Sequence, residues 1–206
     1  MQLFLDPAKR FGSDASVRTL AGNRLPRMSH QLRQWRTDEP MKPPEIPLEK
    51  ILALEPACLR MTVPEAYRDE NGHMNVRWYA TIFDEAGDTL HERLGLTPEF
   101  HKAHGTGTMD LENHTNYLHE VIVGDCLAIF ARLVANSAKR VQYLMFMVND
   151  TRGNLAAIFE CVNAFADLNL RKTAFFPPEI AARIQAGVAA GAALDWPPPV
   201  CGAMRA

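Results

Sequence analysis

Residues 75–95 read NVRWYATIFDEAGDTLHERLG, and this stretch decides the fold. Tyr79, Ile82, Phe83, Ala86, Leu90 and Leu94 recur at the spacing that lines up one stripe of an α-helix. Arg77, Asp84, Glu85, Asp88 and Glu92 hold the other face. Both ends carry signals. Asn75 can cap the helix, because its side-chain oxygen accepts a free N–H of the first turn, and Gly95 stands where a left-handed residue closes a helix. An apolar stripe of this length needs a broad partner surface, such as a sheet.

The chain downstream offers one. From Asp125 to Ala135, Leu127, Ile129, Ala131 and Leu133 alternate with their neighbours, and Val141–Val148 is a short apolar run. Asn149-Asp150-Thr151-Arg152-Gly153-Asn154 reads as a turn, after which Leu155–Phe165 resumes an extended pattern. Shorter strands are expected at Thr106–Leu111, Thr115–Val123 and, before the helix, Cys58–Val63. Pro177-Pro178-Glu179 opens a last short helix. A strand, one long helix, then four or five consecutive strands make an α+β fold, an antiparallel sheet on one buried helix.

The folded unit is expected over residues 48–186. Residues 1–47 lack a stable period and end in Pro40, Pro43, Pro44 and Pro47, so they read as an arm and linker. Residues 1–36 hold seven cations against two anions, a local net of +5 inside a chain whose total is −2. No aromatic ladder or amphipathic pattern accompanies that charge, so neither nucleic acid nor membrane is expected as a partner. Residues 187–206, with small residues and Pro197-Pro198-Pro199, read as a tail.

Cys58, Cys126, Cys161 and Cys201 are too dispersed for a disulfide framework or a paired zinc site. His101, His104, His114 and His119 lack a metal-binding spacing, so neither metal nor cofactor is expected. The apolar run Gln2–Leu5 is too short for a secretory signal, and no segment is long enough to span a bilayer. A cytoplasmic location is the expectation.

The densest chemistry lies just before the long helix, in Tyr67-Arg68-Asp69-Glu70-Asn71-Gly72-His73-Met74-Asn75. The first N–H groups of a helix, here near Val76 and Arg77, have no intrahelical partners and sit at its positive end. A carbonyl aimed at them would have its developing oxyanion stabilised, and a carboxylate just upstream could attack it or activate a water.

Asp69-x-Asn71-Gly72-His73-Met74-Asn75 followed by Tyr79 resembles the signature of the 4-hydroxybenzoyl-CoA thioesterase family, and its Asp69-x-Asn71-x-His73 core is similar to the plant acyl-carrier-protein thioesterases. Tyr117-Leu118-His119-Glu120 with Gly124-Asp125-Cys126-Leu127, then Asp150-x-x-Gly153-Asn154, and finally Arg171-Lys172 before Phe176-Pro177, extend the likeness over about residues 58–180. The resemblance implies a hot-dog fold, a long helix wrapped by a five- to six-stranded antiparallel sheet, assembled as a homodimer or dimer of dimers with active sites at the subunit boundary. It implies hydrolysis of an acyl-CoA or acyl-carrier thioester, with Asp69 as catalytic carboxylate. Asn71 and His73 would be polar partners, Glu120 a supporting carboxylate, and the Val76 N–H an oxyanion donor. Some members of this superfamily cleave betaine-type acyl-CoA esters, and others take aromatic or medium-chain acyl groups.

Each of these residues also has a plainer reading. Asp69 before Asn-Gly can simply hold its own turn, Asn71 can be conformational, Asn75 a cap, and Glu120 an exposed strand residue. Arg132, Lys139 and Arg140 are candidates for the phosphates of CoA. Two other functions fit the same fold, an enoyl-thioester hydratase or dehydratase and a non-catalytic acyl-thioester binder. The first would need a proline between its Asp and His, which Asp69-x-Asn71-Gly72-His73 lacks.

Overall fold

The computed structural model describes residues 45–206; the arm expected over residues 1–47 lies almost wholly outside them. The elements are α1 (Leu48–Leu52), β1 (Leu59–Thr62), α2 (Val76–Arg93), α3 (Pro98–His104), β2 (Thr106–Tyr117), β3 (Cys126–Asn136), β4 (Arg140–Asn149), β5 (Asn154–Asp167), β6 (Lys172–Thr173) and α4 (Pro178–Ala192). The antiparallel sheet runs β1-β3-β4-β5-β2, with β6 beside β5. A long helix held against an antiparallel sheet is the arrangement the motifs implied. No helix among the described residues is long and apolar enough to cross a membrane.

The helix forms where its end signals stand. The Asn75 side chain accepts the Arg77 N–H at 3.1 Å, and Gly95, at φ +92°, follows the last turn. Tyr79, Ile82, Phe83, Ala86 and Leu90 are buried, and Phe83 stacks on Phe159 of β5 with centroids 4.8 Å apart. Burying one such side chain is worth roughly 1.5–3 kcal/mol, so the stripe, rather than intrinsic helix propensity, holds α2 in place.

Both faces of the sheet are covered, which explains the apolar run Tyr143–Val148 in β4. Val141, Tyr143, Met145 and Met147 pack in the cluster that contains the α2 stripe, whereas Leu144, Phe146 and Val148 pack with Ile51 of α1 and with Trp196. A strand buried on both sides has no polar face to show.

Three expectations change. The two short strands expected around residues 106–123 are one strand, β2, which ends at Tyr117. A register shift between Asp110 and Glu112 breaks its alternation, and a bulge there reverses which residues face inward. Helix α3 was not anticipated; it is capped by Thr97 and closed by the left-handed Gly105, but it buries no side chain fully and so has no apolar stripe to read. The last helix runs through Ala192, across the boundary expected at residue 186, and Trp196 and Met204 beyond it are buried.

Helix α4 lies close on β3. A Cβ at Gly191 would stand 2.2 Å from the Leu133 carbonyl oxygen. Alanine is the better helix former by about 1 kcal/mol, but a backbone oxygen cannot move aside as a flexible side chain does. Gly191→Ala should therefore destabilise the protein by about 1–3 kcal/mol in urea unfolding, and a neutral or stabilising result would refute this packing.

Candidate active site

The segment before α2 is a tight hairpin. Arg68 bridges Met74, the Asp69 N–H donates to the His73 carbonyl at 2.8 Å, and Gly72 turns the chain at φ +84°. One carboxylate oxygen of Asp69, Oδ1, accepts the N–H of Asn71 at 2.8 Å and that of His73 at 3.1 Å. Asp69 therefore holds its own turn, as its plainer reading anticipated. Its Oδ2 carries no hydrogen bond among the described residues and is available to a ligand. The hairpin is sewn to the chain that follows β2: the Met74 N–H donates to the Val121 carbonyl at 2.8 Å, and His73 bridges Ile122.

That seam brings His73 to Glu120. His73 Nε2 lies 2.9 Å from Glu120 Oε2, and Arg152 Nη1 lies 3.3 Å from Glu120 Oε1. Arg152 in turn donates through Nε to Asp125 Oδ2 at 3.0 Å. Asp125 is 4% exposed, and the same oxygen also accepts the Ile122 N–H at 3.0 Å and Asn149 Nδ2 at 2.7 Å. These three donors offset the cost of taking the Asp125 carboxylate out of water. Arg152 comes from the β4–β5 turn, so the row His73–Glu120–Arg152–Asp125 ties that turn to the hairpin ahead of α2.

Asp69, His73, Val76, Tyr79, Tyr117 and Glu120 all line one cleft of about 360 Å³. Val76 is the first residue of α2 and is 59% exposed, so its N–H is a first-turn donor without an intrahelical partner. Tyr79 and Tyr117 meet edge to face, their centroids 5.0 Å apart. Burial, reinforced by the neighbouring Tyr117, Asp125 and Glu120, pushes the Tyr79 phenol up to about 12, so it remains a neutral hydrogen-bonding group at physiological pH. The cleft thus combines two carboxylates, an imidazole and a helix N-terminus.

Of the residues singled out in the sequence, Asn71 does not line this cleft; its backbone N–H serves the Asp69 turn. Among the cations considered for CoA, Arg132 is 5% exposed, with its guanidinium donating to the carbonyls of Gly191 and Trp196 and stacked over the Trp196 ring. It is part of the packing of the C-terminal segment and cannot meet CoA. Arg152, which the sequence reading gave no role, holds Glu120; Tyr79 and Tyr117 supply the aromatic walls. The Asp150-x-x-Gly153 turn, already quoted for its likeness, is the signal that could have pointed to Arg152.

A hot-dog sheet around a helix whose N-terminus opens on a carboxylate-lined cleft is the arrangement that the resemblance implied for a thioester hydrolase. The family model for the thioesterase-like superfamily matches residues 63–184, and the chain belongs to that superfamily. A betainyl-CoA thioesterase from Pseudomonas aeruginosa is 30% identical over 63% of this chain and 81% of its own length. A hypothetical protein from Staphylococcus aureus, solved in complex with CoA, superimposes with a TM-score of 0.63 at 23% identity, covering 68% of this chain and 87% of that one. A 1,4-dihydroxy-2-naphthoyl-CoA thioesterase from Synechocystis has the same fold at a TM-score of 0.55 and 17% identity, over 68% of this chain and 97% of its own.

Removing the Asp125 carboxylate would strand three donors, including the half-buried Arg152. Asp125→Ala should cost about 2–4 kcal/mol of stability in chemical denaturation. A loss under about 0.5 kcal/mol, the scale of an ordinary surface substitution, would show that the row does not hold the site.

Proposed function

We propose that the protein hydrolyses an acyl-CoA thioester in the cleft at the N-terminus of α2. The observation that carries this reading is that Asp69, His73 and Glu120 line one cleft with the first-turn residue Val76. The thioester carbonyl would point at the Val76 N–H, whose partial positive charge stabilises the tetrahedral oxyanion. Asp69 Oδ2 would activate a water or attack directly, while Oδ1, occupied by two backbone N–H groups, fixes the carboxylate in place. His73, oriented by Glu120, would support charge and proton movement at the thiolate leaving group. The betainyl-CoA relative makes a small acyl group carrying a cation the acyl class proposed here.

The turn geometry sharpens the decisive experiment. An Asn at position 69 can still accept both backbone N–H groups, so Asp69→Asn keeps the turn and removes only charge and basicity. It should lower kcat by about two to four orders of magnitude with KM little changed, in an assay that follows release of free CoA thiol. Glu120→Gln should cost less and His73→Ala an intermediate amount. A folded Asp69→Asn enzyme retaining more than about a tenth of wild-type turnover has lost under ~1.4 kcal/mol of barrier stabilisation. That result would make Asp69 a turn residue and pass the catalytic role to Glu120.

A homodimer belongs to the same proposal. β1 and β2 end the sheet, and β2 carries Met109 and Leu111 at 55% and 41% exposure. A twelve-residue edge strand with apolar side chains is an aggregation liability unless a second copy pairs with it. Light scattering at micromolar concentration should give at least a dimeric mass, and a monomeric mass would reject this assembly.

A further inference from the structure

An oxyanion is held best by more than one preorganised donor, and the N-terminus of α2 has few to spare. The Arg77 N–H donates to Asn75 Oδ1 at 3.1 Å and the Trp78 N–H to the Asn75 carbonyl at 3.0 Å. Of the N–H groups of Val76, Arg77 and Trp78, only that of Val76 is without an acceptor among the described residues. The helix terminus therefore brings a single backbone donor to the cleft, and a second donor would be a side chain.

Few of the side chains lining the cleft can donate. Asp69 and Glu120, when ionised, only accept. His73 Nε2 faces Glu120 Oε2 at 2.9 Å, and His119 Nδ1 faces the Leu155 carbonyl at 2.8 Å. A carboxylate and a carbonyl both accept, so each of these nitrogens carries its ring's proton, and in the neutral ring the other nitrogen is an acceptor. The hydroxyls of Tyr79 and Tyr117 remain. Tyr117 is 53% exposed, whereas Tyr79 is 6% exposed and fixed in the packing of α2. A donor that is already held in place costs no reorganisation at the moment of reaction, which favours Tyr79.

Helical geometry aims Tyr79 at the same spot as Val76. Residues three apart share a face of a helix, and helical side chains lean toward the N-terminus, so the Tyr79 ring covers the turn that begins at Val76. The edge-to-face contact with Tyr117 sets the plane of the ring. The enclosed side-chain atoms without a partner among the described residues belong to Trp78, His91, Arg132, Asn154 and Asn163. The Tyr79 hydroxyl has no hydrogen bond among the described residues and is not one of these enclosed atoms, so it opens on the cleft that Tyr79 lines. With its pKa near 12, the phenol holds its proton and is a donor throughout the physiological range.

We propose that Tyr79 is a catalytic residue whose phenol O–H joins the Val76 N–H as the second donor to the thioester carbonyl oxygen. The proposal rests on the thioesterase reading and adds a group to its site. As the new C–O bond forms, the carbonyl π pair moves onto oxygen, where the two donors hold it. It returns as the C–S bond breaks and the CoA thiolate departs, and the phenol keeps its proton throughout.

The test compares the full-length wild type with Tyr79→Phe, which removes the hydroxyl and keeps the ring against Tyr117. Thiol release is followed with acetyl-, betainyl- and 4-hydroxybenzoyl-CoA. On each ester that the wild type cleaves, kcat should fall about a hundredfold with KM little changed, the scale of one lost oxyanion donor. The melting temperature should stay at the wild-type value, because the hydroxyl makes no contact within the described fold. A kcat within about threefold of wild type, or a loss of activity matched by a loss of thermal stability, would overturn the proposal. Infrared spectroscopy reads the same contact without turnover. The probe is the ketone analogue of acetyl-CoA, isotope-labelled at the carbonyl carbon, with a methylene in place of the thioester sulfur. Its C=O band should lie at lower frequency on the wild type than on Tyr79→Phe, and coincident bands, or no binding to the wild type, would refute the contact. If the wild type releases thiol from none of the three esters, the thioesterase reading fails, and the infrared band alone decides whether Tyr79 meets a bound carbonyl.

Discussion

The burial of one helical stripe against the sheet is the constraint on which the rest of the structure depends. Once Tyr79, Ile82, Phe83, Ala86 and Leu90 are inside, the rotation of α2 about its own axis is no longer free. Asp84 and Asp88 are then held outward on the face along β2, and the unsatisfied N–H groups of the first turn open at the level where Val121 meets the hairpin. The site is placed by apolar packing far more than by its own polar contacts, which are few and largely solvent-exposed.

Those polar contacts have a different task. A helix terminus fixes a position but does not fix a loop, and the hairpin carrying Asp69 and His73 is held through its backbone by Val121 and Ile122. Asp125 adds a side-chain anchor at one remove, with Arg152 linking it to Glu120 and Glu120 meeting His73. Exposed ion pairs contribute little by themselves, typically about 0–1 kcal/mol, so this row is effective only because its last member is buried and met by three donors. Geometry is held at the exposed end by desolvation at the buried end.

What the sequence disclosed follows from where information is local. The cap at Asn75, the stripe and the stop at Gly95 all lie within a single element, and α2 was legible from end to end. The run Val141–Val148 was legible as a strand, although its two-sided burial was visible only once Ile51 and Trp196 came to lie against the outer face. The bulge at Leu111 made β2 read as two strands, because a reversal of alternation looks the same in sequence as a chain break. The short helix α3 carried clear end signals, Thr97, Pro98 and Gly105, but no stripe between them. At the site, the Asp69 turn was readable because its donors are two and four residues away. The contact of His73 with Glu120 and the hold of Arg152 on both carboxylates were not, since they join segments that meet only through the sheet. Arg132 misled for the same reason: a lone arginine in a strand looks exposed until the chain after α4 folds back over it.

The first N–H groups of α2 have no intrahelical partners, so the end of the helix that opens on the cleft is positive. In the proposed reaction the thioester carbonyl is nearly neutral when bound and its oxygen becomes an anion only as the tetrahedral intermediate forms. Interactions that strengthen on the way to the transition state raise turnover, whereas uniform binding lowers only KM. On this argument the helix terminus would act on kcat rather than on affinity, and the apolar stripe that fixes α2 against the sheet would serve the chemistry by holding that terminus still.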